Sequence, residues 1–440
     1  MKYDTIKNPN YVATVVRVAA LADLEGLDNL KALRVYGMQA LVSKDTEIGS
    51  VGVLFSTEVQ LSEEFAKQNN LHRHTNLNVD PTQSGYLEDS RRVKAIRLRG
   101  HRSDSLFMSL DAFSYLGIKP SDFNEGDTFD SINGHEILRK YQIKEPGINK
   151  GPQAKVRRVD LKVFPLHIDS ENYWRNAEKI PHNAPIVITQ KLHGTSVRYG
   201  KVPVADEPKW YQRVVRKIAG IGASHSHKFV VGSRMVVKSI DFEAESAGKQ
   251  QFYAEDLWSK WAQEHELDKL IPAGFLVYGE LIGYTPDGAP IQKNYTYDLE
   301  PGKAELYVYR VATVTPDGQT VDLPWPQVKS FTRGIGLKTV PELWTTLHRL
   351  LDVDHYIDKN FYDWFSKNKK WDETVYGMDW SEFETPVKLS DDKSVDEGVC
   401  VRYDGPNGIY ILKAKSPIFL GHESAMLDEG GDDVEAGESA

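Results

Sequence analysis

The sequence predicts an α+β protein in two β-rich parts. Three observations carry that expectation. Short strand-like runs broken by turns fill the chain to about residue 118. A polar stretch with Gly and Pro, "KEPGINKGPQAKVRR" (Lys144 to Arg158), then interrupts it as a linker would. Beyond it, strand-like runs resume with helical text between some of them, the pattern of an α+β domain with antiparallel sheets. A chain of 440 residues is long enough for each part to bury its own core.

In the first part the runs are "YVATVVRVAAL", "LRVYGMQALVS", "GSVGVLFS" and "RRVKAIRLRG". So many short strands predict a small barrel of the OB type. "SEEFAKQNN" (Ser62 to Asn70) predicts a short helix, with Ser62 as its cap and Glu63 and Glu64 complementing its dipole. After the linker, "HIDSENYWRNAEKI" predicts a helix capped by Asp169 or Ser170. The later strands are "PIVITQK", "FVVGSRMVVK", "FLVYGELIG", "AELYVYRVATV", "EGVCVRYDG" and "IYILKAK", with helical text such as "AEDLWSKWAQEHELDKL" among them. The expected division is a first domain over 1–145, a linker over 146–160, a second domain over 161–427 and a disordered acidic tail over 428–440.

Composition narrows the class. Hydrophobic residues make up 40% and charged residues 27%, as in a soluble globular protein. No apolar run approaches the roughly 20 residues that cross a bilayer, and no signal peptide opens the chain. The one cysteine, Cys400, excludes an internal disulfide and a cysteine-based zinc site, and suits a reducing, cytoplasmic setting. The tail from Asp428 has six acids and no base, most of the net charge of −9. An acidic total argues against indiscriminate coating of nucleic acid but leaves room for a local basic groove.

Several residues suggest chemistry. Lys413 and Lys415 share one face of a strand, about 7 Å apart, and repel unless an anion lies between them. A phosphate chain serves; a solvated face is the alternative. Glu397 opens the facing strand of a hairpin turned by "DGPNG". Glu280 sits in an apolar strand, where an acid needs a cation or donors. A metal, a ribose hydroxyl or a structural salt bridge would each satisfy it. Ser233 and Arg234 interrupt the apolar strand "FVVGSRMVVK", and the guanidinium suits phosphate or carboxylate. Lys191 ends an apolar strand just before a glycine turn, as a solvated strand end or a positioned amine. In the first part, "RRVKAIRLRGHR" concentrates Arg91, Arg92, Lys94, Arg97, Arg99 and Arg102, a run that suits a phosphate backbone. Its parity breaks between Lys94 and Arg97, so one regular strand cannot aim them all alike. His72 and His74 in "LHRH" read as surface residues.

The motif order resembles that of the covalent nucleotidyltransferases, the ATP-dependent RNA and DNA ligases and the mRNA capping enzymes. "KLHG", "SR", "YGELIG", "LYVYRV", "EGVCVR" and "LKAK" follow one another as that superfamily's motifs do. His193 and "IQKNYTY" resemble the RNA ligase 2 branch. "VLFSTEVQLSEEFAKQNNL" and "LEDSRRVKAIRLRGHRSDSLFMSL" resemble the Naegleria-type RNA ligase family, which has an N-terminal OB domain. The resemblance implies that Lys191 takes AMP from ATP, with Lys413 and Lys415 as catalytic cations. It also implies nucleotide contacts from His193, Arg234, Glu280, Tyr309 and Glu397, and Mg or Mn at Glu280 and Glu397. Arg97 and Arg99 are expected to bind RNA, most simply a nicked duplex with a 3′-hydroxyl and a 5′-phosphate, by a monomer that uses no membrane. Arg310 stands where related ligases often carry Asp. The competing readings are a DNA ligase or GTP-dependent capping enzyme, and a non-catalytic RNA-binding protein.

Overall fold

The computed structural model describes residues 1–142, 159–167, 169–205, 211, 218, 225–244, 256–357, 360–366, 384–390 and 394–428. The expected linker up to residue 158 and the tail from residue 429 lie outside them. The fold is mixed α and β and mostly sheet.

The N-terminal part is built on a seven-stranded sheet. Its order is Thr128–Phe129, Ala13–Arg17, Val51–Ser56, Ser105–Ser109, Met38–Ser43, Leu30–Val35, Ala22–Asp23. Its end strands, two residues each, do not pair with one another, so no closed barrel forms among the described residues. The run "LRVYGMQALVS" folds as a hairpin because Tyr36 and Gly37 both take positive φ, 52° and 73°, the requirement of a two-residue I′ turn. The helix Glu63–Gln68 forms as its cap predicts: Ser62 Oγ accepts from Phe65 N–H at 3.1 Å. His72 departs from expectation. It is 2% exposed, because the Asn78 side chain clamps its backbone N–H and C=O and holds it inward. His74 is exposed and bonds Asp89.

The C-terminal part has two sheets. One runs Glu171–Asn172, Gly408–Lys415, Gly398–Gly405, Pro185–Lys191, Glu342–Leu347. The other runs Glu243–Ala244, Val237–Ile240, His225–Ser233, Thr195–Ala205, Phe275–Gly283, Ala304–Val314, Thr320–Asp322, with Lys338–Thr339 added beside Ala304–Val314. The expected helix over 167–180 shrinks to Tyr173–Asn176 and a 3₁₀ turn, capped by Asn172 rather than Asp169 or Ser170. The cause is local. Glu171 and Asn172 pair as a strand with Leu412 and Lys413, which keeps the chain extended there. "AEDLWSKWAQEHELDKL" splits into Leu257–Glu264 and Leu267–Leu270 where Glu266 takes φ 53°.

Alternation sorts the five-stranded sheet. Ile186, Ile188, Val399, Val401, Leu412 and Ala414 pack with Tyr173 and Phe361 in one core. Each buried Ile, Val or Leu of these strands contributes about 1.5–3 kcal/mol, and a one-residue slip would turn them all out. The other face is left with Thr189, Lys191, Cys400, Lys413 and Lys415.

Gln190 lies on the core side and finds a polar partner there. Its Nε2 donates to Asp396 Oδ1 at 2.7 Å, and Phe361 N–H donates to Asp396 Oδ2 at 2.7 Å. Burial still pushes the Asp396 carboxyl up to about 7, with those donors only partly offsetting it. The folded state therefore binds this proton more tightly than the unfolded chain, and this residue's contribution to stability falls as pH rises from about 4 to about 7. Asp396→Asn is expected to gain in unfolding free energy relative to wild type across that window, by roughly 2–4 kcal/mol at most. A difference between the two proteins that stays flat from pH 4 to pH 8 contradicts this. Among the described residues no helix is long and apolar enough to cross a membrane.

Candidate active site

The two C-terminal sheets face each other across a cleft of about 340 Å³, within the usual range for small-molecule sites. Its floor is set by register. Lys191 lies opposite Gly398, and Gly398 opposite Lys415. In the next row Thr189 lies opposite Cys400, and Cys400 opposite Lys413. Gly398 puts no side chain between Lys191 and Lys415. No other residue fits there: φ is +138°, and a Cβ would lie 2.0 Å from the Ala414 carbonyl oxygen.

Glu397 binds this row together. It is 1% exposed. Its Oε2 lies 2.7 Å from Lys191 Nζ and its Oε1 3.0 Å from Lys415 Nζ, with His193 Nδ1 at 3.6 Å. Burial alone would push its carboxyl up; the Lys191 and Lys415 ammoniums outweigh that and hold it far below the usual carboxylate range. The anion that the paired lysines call for is thus partly supplied by the protein.

The opposite wall carries Glu280. The Gly194 N–H donates to Glu280 Oε1 at 3.1 Å and Ser196 Oγ to Oε2 at 3.2 Å, so the loop after Lys191 is tied to the facing sheet. Gly194 is required by the close approach, since a Cβ there would lie 2.1 Å from the Leu281 carbonyl oxygen. Tyr309 is partly buried. Its hydroxyl hydrogen-bonds His167 Nε2, and its carbonyl accepts from Arg402 Nη1 at 3.1 Å. Burial, then the Glu280 charge, push that hydroxyl well above its ordinary pKa. Arg234 pairs with Asp169 at the rim. Arg310 stacks over Tyr278 at 4.5 Å and grips Asp322 with two hydrogen bonds of 2.6 and 3.1 Å. An acid is therefore present in this region of the cleft, supplied by the neighbouring strand.

The structure divides the residues that the sequence singles out. Lys191, Arg234, Glu280, Tyr309 and Lys413 line the cleft. His193 and Lys415 line separate hollows, and Glu397 joins them to Lys191 from behind. Arg97 and Arg99 lie elsewhere, exposed on and beside the hairpin Ile96–Leu98 and His101–Ser103. Arg92 does not face solvent. It is 3% exposed and bonded to Glu58. Sequence reasoning passed over Arg402, though it shares its strand face with Cys400. Gln190 and Asp396, which carry no charge pattern, gave no signal. Among the described residues no cluster of three or more His, Cys, Asp or Glu side chains is placed to hold a metal.

Lys191 and Lys413 on the cleft floor, a carboxylate opposite and an aromatic wall can seat a polyphosphate beside an amine. Residues 184–415 match the RNA ligase family model, and the chain belongs to the RNA ligase family. The fold is that of Naegleria gruberi RNA ligase: the form with PPi matches with a TM-score of 0.56 at 17% identity, over 94% of this chain and 98% of that one. A substituted form with ATP and Mn gives 0.55 at 17% over 95% and 99%, and one with AMP and Mn gives 0.53 at 16% over 93% and 98%. At these identities the likeness is one of fold. No curated protein matches the chain in sequence.

Proposed function

We propose that the protein is an ATP-dependent RNA ligase that joins an RNA 3′-hydroxyl to a 5′-phosphate through a Lys191–AMP intermediate. The observation that carries this reading is Lys191 itself. It stands at the edge of the cleft on a rigid strand, its Nζ held 2.7 Å from a buried carboxylate. The Naegleria structures with ATP, PPi and AMP support it, since ATP is the substrate and PPi the leaving group of such a first step, and AMP is the group that the last step releases.

In that step the Lys191 ammonium first loses a proton to water; Nζ then bonds to the α-phosphorus, the bond to the bridging oxygen breaks, pyrophosphate leaves, and the second Nζ proton passes to water or to the departing pyrophosphate. Glu397, ion-paired with Nζ at 2.7 Å, aims the amine, while Lys413 on the cleft floor offsets triphosphate charge. Lys415 acts behind it through Glu397. A 5′-phosphate oxygen then takes the AMP from Lys191, and a 3′-hydroxyl finally attacks the activated 5′-phosphorus and expels AMP. Tyr309, its backbone pinned by Arg402, offers a face to adenine. Arg234 meets phosphate.

A divalent metal fits this site as an ion carried chiefly by nucleotide phosphates and water, as Mg and Mn usually are. The donor set agrees: Glu280 faces the cleft, and Glu397 has both oxygens on lysines. Glu280 would hold the ion, while Glu397, buried with both oxygens on lysines, would set the lysines beside it. The ion's contribution is to offset charge on the α-phosphate.

The N-terminal part, residues 1–145, is assigned as an OB-type RNA-binding domain and residues 161–427 as the nucleotidyltransferase. Arg97 and Arg99 would contact the backbone of a nicked duplex bound by a monomer, in RNA repair. The test is strand joining on nicked duplexes with every RNA/DNA combination at the junction, with ATP or GTP and Mn. Sealing is expected with ATP and an RNA 3′-hydroxyl strand. Preference for all-DNA nicks or for GTP points to the sister enzymes, and no nucleotide transfer at all to a binding protein.

A further inference from the structure

The helix Pro417–Asp428 starts two residues after Lys415. Ser416 caps it, its Oγ accepting from Phe419 N–H, and Ser416 N–H donates to the Glu397 carbonyl oxygen at 2.8 Å. Its near end is therefore fastened to the Lys191–Glu397–Lys415 row. Two of its side chains reach back there. Phe419 lies under the Lys415 ammonium at 5.1 Å and edge-on to His193 at 4.9 Å, and Glu423 Oε1 is 3.5 Å from Lys415 Nζ.

Twelve residues carry the helix about 18 Å away, to the N-terminal part. There its last turn meets Arg92. Arg92 Nη2 donates to the Ser424 carbonyl oxygen at 3.0 Å and Nη1 to Asp428 Oδ1 at 3.0 Å. Its Nε and Nη2 grip Glu58 at 2.8 and 2.9 Å, and its guanidinium lies over Tyr141 at 5.0 Å. Ser424 Oγ donates to Glu58 Oε1 at 2.6 Å and accepts from Ala95 N–H. Lys94 adds a bond to Asp428. A helix C-terminus leaves carbonyls unsatisfied and favours cations. Here the cap comes from another part of the chain, and it is buried.

We infer that Arg92 is a positioning residue for lysine adenylylation: by capping this helix it holds Phe419 and Glu423 in register against Lys415, and so keeps Lys415 on Glu397. The N-terminal part then supports the first chemical step as well as gripping RNA. This rests on the proposed Lys191–AMP chemistry. Asp428, the first residue of the expected tail, is the outer half of the same cap.

The test measures single-turnover AMP transfer to the full-length protein over a range of ATP. Arg92→Ala is expected to slow transfer at saturating ATP about tenfold with little change in the ATP concentration for half-maximal rate. Arg92→Lys, which keeps the charge and part of the cap, recovers some of the loss. The decisive readout is a cycle with Lys415→Ala. If Arg92 acts through Lys415, the double variant is no slower than Lys415→Ala within about twofold. Losses that multiply, or wild-type transfer by folded Arg92→Ala, overturn the inference. If Arg92→Ala does not fold, Asp428→Asn replaces it in the cycle, with a smaller loss expected by the same rule. A wild-type protein that accepts no AMP instead overturns the proposed function.

Discussion

Lys191→Ala and Lys191→Arg proteins accept no AMP from ATP, while the wild type does. Alanine removes the nucleophile. Arginine keeps a cation opposite Glu397, but its guanidinium offers no neutral amine at working pH. Both variants are expected to fold, because Lys191 sits at a strand end and its side chain faces the cleft, not the core. RNA that already carries a 5′-AMP bypasses the first step, and its sealing survives in part. Gel detection of label from ATP, with and without such RNA, reads both outcomes. Label on the alanine variant at the wild-type level would remove Lys191 from its role.

Glu397→Gln is the second large effect, and it strikes stability and chemistry together. The carboxylate is buried and holds two ammoniums that are themselves only 18% exposed. An amide of the same shape leaves both cations facing a neutral group. Breaking a buried pair in this way costs about 3–5 kcal/mol. The protein is expected to lose that order of stability in denaturant titration. It is also expected to slow AMP transfer by about a hundredfold or more, since the aim of Lys191 and the site of Lys415 depend on one group. Wild-type stability with wild-type transfer would mean that the row of Lys191, Glu397 and Lys415 is incidental.

What the sequence could and could not disclose follows from the physics of strands. Alternation alone put Lys413 and Lys415 on one face and Leu412 and Ala414 on the other, and the fold agrees. The hairpin at "DGPNG" and the Ser62 cap were equally local, and both form. Cross-strand register is not local. Nothing in the spacing of Lys191 and Lys415 says that Gly398 lies between them or that Glu397 bridges them. Gln190 and Asp396 were invisible because a buried polar pair leaves no periodic trace. The basic run misled for a related reason. A count of charges does not know burial, so Arg92 looked like a phosphate contact although it caps a helix beginning 325 residues later. The same run turns at Arg99, with φ 49°, so Arg102 lies on the returning strand of a hairpin.

Everything in the proposed reaction depends on Lys191 becoming covalently bonded to AMP. That bond is tested most directly by incubating the full-length protein with ATP and Mn, without RNA, and locating the adduct by mass spectrometry of intact protein and peptides. One added AMP is expected, on the peptide bearing Lys191, discharged when nicked RNA is supplied. An adduct at another residue, or strand joining with no adduct at any time, would contradict it.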